Sequence, residues 1–187
     1  PGNGPIRFEV PGTINFNQDA FGGAGEFQPD SGMPGIPGIN LETGDSVVDG
    51  LAARITTYIE LPAGLTQMIV NSDDGFRTTA GIPTDAFLGQ RAGEFNGGRG
   101  ASDTIFTVFA EEAGVYAFVT VWQEGGGGAN IEWKTIKADG TRALINDLAN
   151  GGLKAYRALT APDNPTIISS VSPAPGSTTV SPSAAIE

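Results

Sequence analysis

Along the middle of the chain, hydrophobic and polar residues alternate with the two-residue period of half-buried β-strands. Arg54 to Leu61 is β-branched and alternating, and Pro62-Ala63-Gly64 turns it into a second run, Leu65–Val70. Ile105–Phe109 follows, and Glu111-Glu112-Ala113-Gly114 turns it into Val115–Trp122. Asn130 to Ile136 reads as a further strand, with Ile131 and Trp133 on one face, and Asp139-Gly140 is a hairpin-type turn signal. Ile6–Val10 alternates as a first strand, and Ile14–Asn17 is a shorter candidate. Phe21 to Gly38 is crowded with Gly and Pro; proline removes a ladder donor, so this stretch predicts a long surface loop. Residues 141–160 are compatible with a short helix at Ala143–Leu148, but the Asn150-Gly151-Gly152 break favours strand, loop and a closing strand over Leu153–Arg157.

After Leu159 the composition shifts. Ala161-Pro162-Asp163-Asn164-Pro165 reads as a linker, and the Pro/Ser/Thr bias that follows suits a spacer. The expected organisation is one antiparallel, all-β sandwich over 1–160 with long Gly/Pro-rich loops, then a linker and the start of a second domain over 161–187. The tail from Ile167 resembles the opening strands of bacterial immunoglobulin-like repeats. The chain opens at Pro1 without a signal-peptide pattern, and we expect it to be a piece of a longer protein whose export signal lies outside it.

Composition narrows the chemistry. The 187 residues include 28 glycines and 13 prolines, which fits a turn-rich β protein. A net charge of −11 argues against nucleic acid, which demands clustered Lys and Arg. The chain has no His and no Cys, which removes Ser-His-Asp and Cys nucleophiles, ordinary zinc sites and disulfides. No apolar run of about 18 residues exists, so no membrane insertion is expected. The glycine runs are not followed by Lys-Ser or Lys-Thr, so no phosphate loop is present.

One pattern occurs twice. Ala63-Gly64, a strand-like run and Asp73-Asp74-Gly75 are echoed by Ala113-Gly114, a strand-like run and Gln123-Glu124-Gly125. Two strands of matched length would deliver both loops to one edge of the sheet structure. Calcium takes six to eight oxygens from carboxylates, amides and backbone carbonyls. The two loops are therefore expected to build one calcium site. The bland alternative is that the aspartates cap a turn.

Asn71-Ser72-Asp73-Asp74-Gly75 at a strand exit, followed by Trp122-Gln123-Glu124 and the Gly125–Gly128 loop, resembles the PA-fourteen domain of protective antigens, flocculins and adhesin lectins. The resemblance covers Arg54 to Ile136. In lectin members of that family the paired aspartates are joined by a cis peptide and chelate calcium, which binds vicinal sugar hydroxyls. The resemblance implies Asp73 and Asp74 as metal ligands, joined by Gln123, Asn130 and the backbone of Gly125 and Gly127. Asp73, Asp74, Phe76, Arg77 and Glu124 are the expected sugar contacts, with Phe76 equally readable as a core plug.

Glu111-Glu112 reads as a solvated turn rather than a catalytic pair, since glycoside hydrolysis needs carboxyls facing each other across a bond. Trp122 and Trp133 read as core before they read as sugar platforms. Arg91 and Arg99 fall in the glycine-rich stretch Gly89–Ser102, read as a loop bordering the site. The expected function is a non-catalytic, calcium-dependent, glycan-binding monomeric module of a secreted or surface protein. A structural spacer, or an accessory domain of a carbohydrate-active enzyme, is the alternative.

Overall fold

The structure is a computed structural model and describes residues 9–18, 23–33, 49–81 and 87–157. The expected strand Ile6–Val10 falls mostly outside these residues, as do the linker, the immunoglobulin-like tail and part of the Phe21–Gly38 loop.

Two sheets face each other. The first joins β1 (Asn15–Asn17), β2 (Ser31–Gly32), β4 (Gly64–Asp73), β7 (Ser102–Ala110), β9 (Asn130–Ile136) and β10 (Arg142–Leu144). Its order is β2-β1-β9-β4-β7, with β10 also on β9. The second joins β3 (Leu51–Leu61), β5 (Phe76–Ala80), β6 (Gln90–Phe95), β8 (Gly114–Glu124) and β11 (Ala155–Tyr156), in the order β11-β3-β8-β5-β6. All pairings are antiparallel except the short one between β1 and β2. The alternating runs of the sequence become β3, β4, β7, β8 and β9, each at least as long as its apolar signal. Between β10 and β11 the chain makes one 3-10 turn at Leu148–Asn150.

The core lies between the sheets. Met68, Val70, Phe106, Val108, Ile131 and Trp133 meet Ile59, Leu61, Phe76, Tyr116, Phe118 and Trp122, all buried. Phe118 and Trp133 touch edge to face at 6.2 Å, a geometry that matches ring edge to ring face. Both tryptophans are thus core residues.

Two sequence expectations change. Gly89–Ser102, read as a loop, contains β6. Gly93 sits inside that strand because a Cβ there would lie 2.3 Å from the Phe106 ring; glycine marks a close approach here, not a turn. β9 was expected to alternate between core and solvent, yet Glu132 and Lys134 on its other face are 0% and 1% exposed. Residues 23–33 cover that face as a strap. Lys134 Nζ lies 2.7 Å from Glu132, 3.0 Å from Glu26 and 3.1 Å from Asp103. Glu132 also accepts the Glu26 and Phe27 backbone N–H groups at 3.0 and 2.9 Å. Arg142 closes the cluster on Glu26 and Asp103.

Candidate metal centre

β4 belongs to the first sheet and β5 to the second, so Asp73-Asp74-Gly75 carries the chain from one sheet to the other. The peptide between Asp73 and Asp74 is cis. The crossover is tied to the end of β8: Asp74 N–H donates to the Gln123 carbonyl at 3.2 Å, and Gln123 N–H to the Gly75 carbonyl at 2.9 Å. The two loops singled out in the sequence therefore meet. Gly75 is required by crowding, since a Cβ would stand 3.0–3.1 Å from Gln123 Nε2 and from the carbonyls of Phe95 and Gly97.

Each carboxylate is held differently. Asp74 accepts the Arg99 backbone N–H on Oδ1 at 2.7 Å and the Gly125 N–H on Oδ2 at 3.0 Å. Its own carbonyl accepts Ser72 Oγ at 2.6 Å, and the Asp73 carbonyl accepts Trp122 Nε1 at 2.9 Å. Asp73 is less buried, and Gly128 leaves its Oδ2 room, because a Cβ there would lie 2.8 Å away. Burial and the neighbouring Asp74 push the Asp73 carboxyl above its ordinary range, against the Ala101 N–H and the Arg99 charge.

Glu124 completes the group. β8 alternates to its last residue, with Trp122 inward, Gln123 outward and Glu124 inward, so Glu124 is 1% exposed. Oxygens of Asp73, Asp74 and Glu124 all lie within 4.8 Å of one another. Neither Glu124 oxygen has a hydrogen-bond partner. Burial, then Asp74 and Asp73, push its carboxyl up to about 7; the Gly126 amide opposes this from outside hydrogen-bond geometry. At an effective dielectric of about 20, each charged pair at such a distance repels by roughly 3–4 kcal/mol. A buried acid with two orphaned oxygens beside two further carboxylates is a donor set for a hard cation. The residues present thus fit a calcium ion, which Asp73, Asp74 and Glu124 would hold through carboxylate oxygens.

The other expected ligands divide. Asn130 faces Asp73 across the β4–β9 pair, is 1% exposed, and its Oδ1 has no partner. Gly125 and Gly127 lie in the loop beside the carboxylates, with Gly127 N–H bound to Asp49 Oδ1 at 3.1 Å. Gln123 lies on the outer face of β8 with Nε2 against Gly75, opposite in facing to Glu124. Phe76 is in the core, and Arg77 pairs with Glu94 on the outer face of the second sheet. Glu111 and Glu112 are exposed at the far end of β8 from Glu124.

Sequence reasoning missed Asp49 and understated Arg99. Asp49, at the start of β3, braces the glycine loop and adds a fourth negative charge near Glu124. Arg99 donates through Nε to the Ser72 carbonyl at 3.0 Å, through one terminal nitrogen to Ser72 Oγ at 2.7 Å, and through the other to Thr104 Oγ1 at 2.9 Å. Its guanidinium stacks 4.1 Å from the Phe95 ring centroid. It therefore fixes the loop whose N–H orients Asp74. Arg99→Ala is expected to lower calcium affinity about tenfold and to cost roughly 1.5–3 kcal/mol of stability, from lost charged hydrogen bonds. Calorimetric titration and melting would check both; unchanged calcium affinity would remove Arg99 from the site.

No protein-family model matches the sequence, and no curated protein does. Solved structures match in backbone course. One is a PA14 sugar-binding domain from an RTX adhesin, at 24% identity and TM-score 0.42, over 56% of this chain and 55% of that one. Another is the PA14 domain of the antifreeze protein MpAFP, at 20% identity and TM-score 0.43, over 56% of this chain and 50% of that one. The chain resembles PA14 domains. The PA14-like match spans about half the length of each solved chain, while the carboxylate centre stands on its own geometry.

Proposed function

We propose that this chain is a calcium-dependent, non-catalytic carbohydrate-binding module of a larger secreted or cell-surface protein of adhesin type. The observation that carries the ion is Glu124, buried with both oxygens unpartnered against Asp73 and Asp74. Asp73, Asp74 and Glu124 hold calcium, with the Asn130 amide oxygen and carbonyls of the Gly125–Gly128 loop as further oxygens. The sugar supplies vicinal hydroxyls on the side of Asp73, the most exposed of the three acids. The carbohydrate half follows the motif resemblance, and one structural neighbour is itself described as a sugar-binding domain. Among the described residues no helix is long and apolar enough to cross a membrane.

Melting in chelator, then with calcium titrated in and magnesium as control, tests the ion. At 100 times Kd calcium adds about 2.7 kcal/mol, a rise of roughly 5–10 °C for a chain of this size. A melting curve unmoved by calcium would remove the ion and the sugar together. A glycan array with and without calcium then tests the ligand.

A second reading has its own support. Both Asp74 oxygens already hold backbone N–H groups of two different loops, which suits an ion that tightens a spacer domain. Calcium stabilisation with no calcium-dependent glycan binding would select it.

A further inference from the structure

Beside the carboxylate centre, on the outer face of the second sheet, lies a groove of about 180 Å³. Arg77, Glu94, Asn96, Val121 and Gln123 line it, and Phe87 forms one wall. Gly75 is common to both places: it follows Asp74 in the chain and lines the groove. Phe87 is 80% exposed, and the Arg77 guanidinium stands 5.9 Å from its ring centroid. Arg77 and Arg91 both pair with Glu94, so the two arginines and their shared acid form a fixed polar floor.

These groups are ill suited to a charged or wholly apolar ligand. Glu94 already occupies both arginines, so neither is left over for an anion. An apolar ligand would cover Gln123, Asn96 and an ion pair without satisfying them, at the cost of buried unpaired polar groups. A flat ring with one C–H face and a rim of hydroxyls meets both demands. The C–H face lies on Phe87, and the hydroxyls pair with the planar amide, guanidinium and carboxylate groups. The volume is below the roughly 300 Å³ at which drug-sized sites begin, and suits one small ring.

We infer that this groove is a second sugar subsite, which takes the residue next to the sugar held on the ion, so that the chain recognises an oligosaccharide rather than a single sugar. This rests on the calcium–sugar reading above. The test is calorimetric titration in calcium of matched pairs: glucose with maltose and cellobiose, galactose with lactose, mannose with mannobiose. The expected result is one disaccharide binding about tenfold tighter than its monosaccharide. Phe87→Ala abolishes that gain while leaving monosaccharide affinity within about twofold, and Phe87→Trp restores it. Because Phe87 is exposed, the fold is not at risk in either variant. Equal affinity for mono- and disaccharides, or a Phe87→Ala loss shared by both, would overturn the second subsite and leave the ion site standing. No calcium-dependent binding of any of these sugars or of an array would overturn the sugar reading, and the subsite with it.

Discussion

Lys134→Met is expected to be the most destabilising single substitution away from the carboxylate centre, at about 3–5 kcal/mol. Its ammonium is 1% exposed among Glu132, Glu26 and Asp103. A buried ion pair contributes little net stability against an apolar replacement of both partners. Removing one partner alone leaves an uncompensated buried charge, and that is the expensive case. Here Glu132 is left at 0% exposure, with only the Glu26 and Phe27 N–H groups to solvate it. The melting temperature should fall on the order of 10 °C. The double variant Glu132→Gln/Lys134→Met should recover much of the loss, since glutamine keeps an acceptor for those amides without the charge. A single variant that melts like the parent would show the cluster to be solvated. The strap should also answer to pH. Burial raises the Asp103 carboxyl, but hydrogen bonds from Asn71 and Lys134 and the Lys134 and Arg142 charges outweigh it. Burial likewise raises Glu26, and Arg142 and Lys134 outweigh it. Both are held below their ordinary values, so their contribution is complete above about pH 4 and is lost as the pH falls further. Lys134 is held above its ordinary value by Glu132 and Glu26 despite burial, so its contribution lasts past about pH 10. Amide exchange at Glu26 and Phe27 would report the loosening.

Glu124→Gln is expected to change sign with calcium. In chelator the variant should be more stable than the parent, by on the order of 1–3 kcal/mol at pH 8. The parent acid is pushed up to about 7 by burial, Asp74 and Asp73. It therefore carries a penalty when charged that is relieved as the pH falls below that value. Glutamine removes the charge, and its amide can donate to the aspartates. In excess calcium the order should reverse, because the ion loses an anionic ligand and its affinity falls about a hundredfold or more. Paired melts in chelator and in calcium read both arms. A variant less stable than the parent in both conditions would make Glu124 an ordinary packing residue.

Strand identity was legible because β3, β4, β7, β8 and β9 carry long β-branched runs between clear turns. β5 and β6 were not, because Arg77, Arg91 and Gly93 interrupt any apolar alternation; β6 is held by its pairing with β5 and by passage over Phe106. The meeting of the Asp73-Asp74 and Gly125–Gly128 loops was legible as a repeated strand-exit pattern. Which of Gln123 and Glu124 turns inward was not. Facing alternates along a strand, so a change of one residue in register exchanges them, and only the Leu51↔Glu124 pairing fixes it. Glu132 and Lys134 read as the solvent face of β9 because a covering strap leaves no periodic signal in the strand it covers. Asp49 and Arg99 lie far along the chain from the groups they serve, and no local spacing connects them.

The crossover at Asp73-Asp74 has a kinetic meaning. Its carboxylates end one sheet and Glu124 ends a strand of the other, so the group exists only when both sheets are paired and packed. β1 pairs with β9 across more than a hundred residues, as Asn15 does with Glu132, and such non-local closure comes slowly. An ion held by these three acids has nothing to grip until the rate-limiting step is nearly over. It would leave the folding rate almost untouched and act on the reverse rate. Calcium would then lengthen the lifetime of the folded domain, which is the quantity that matters where an unfolded chain cannot be replaced.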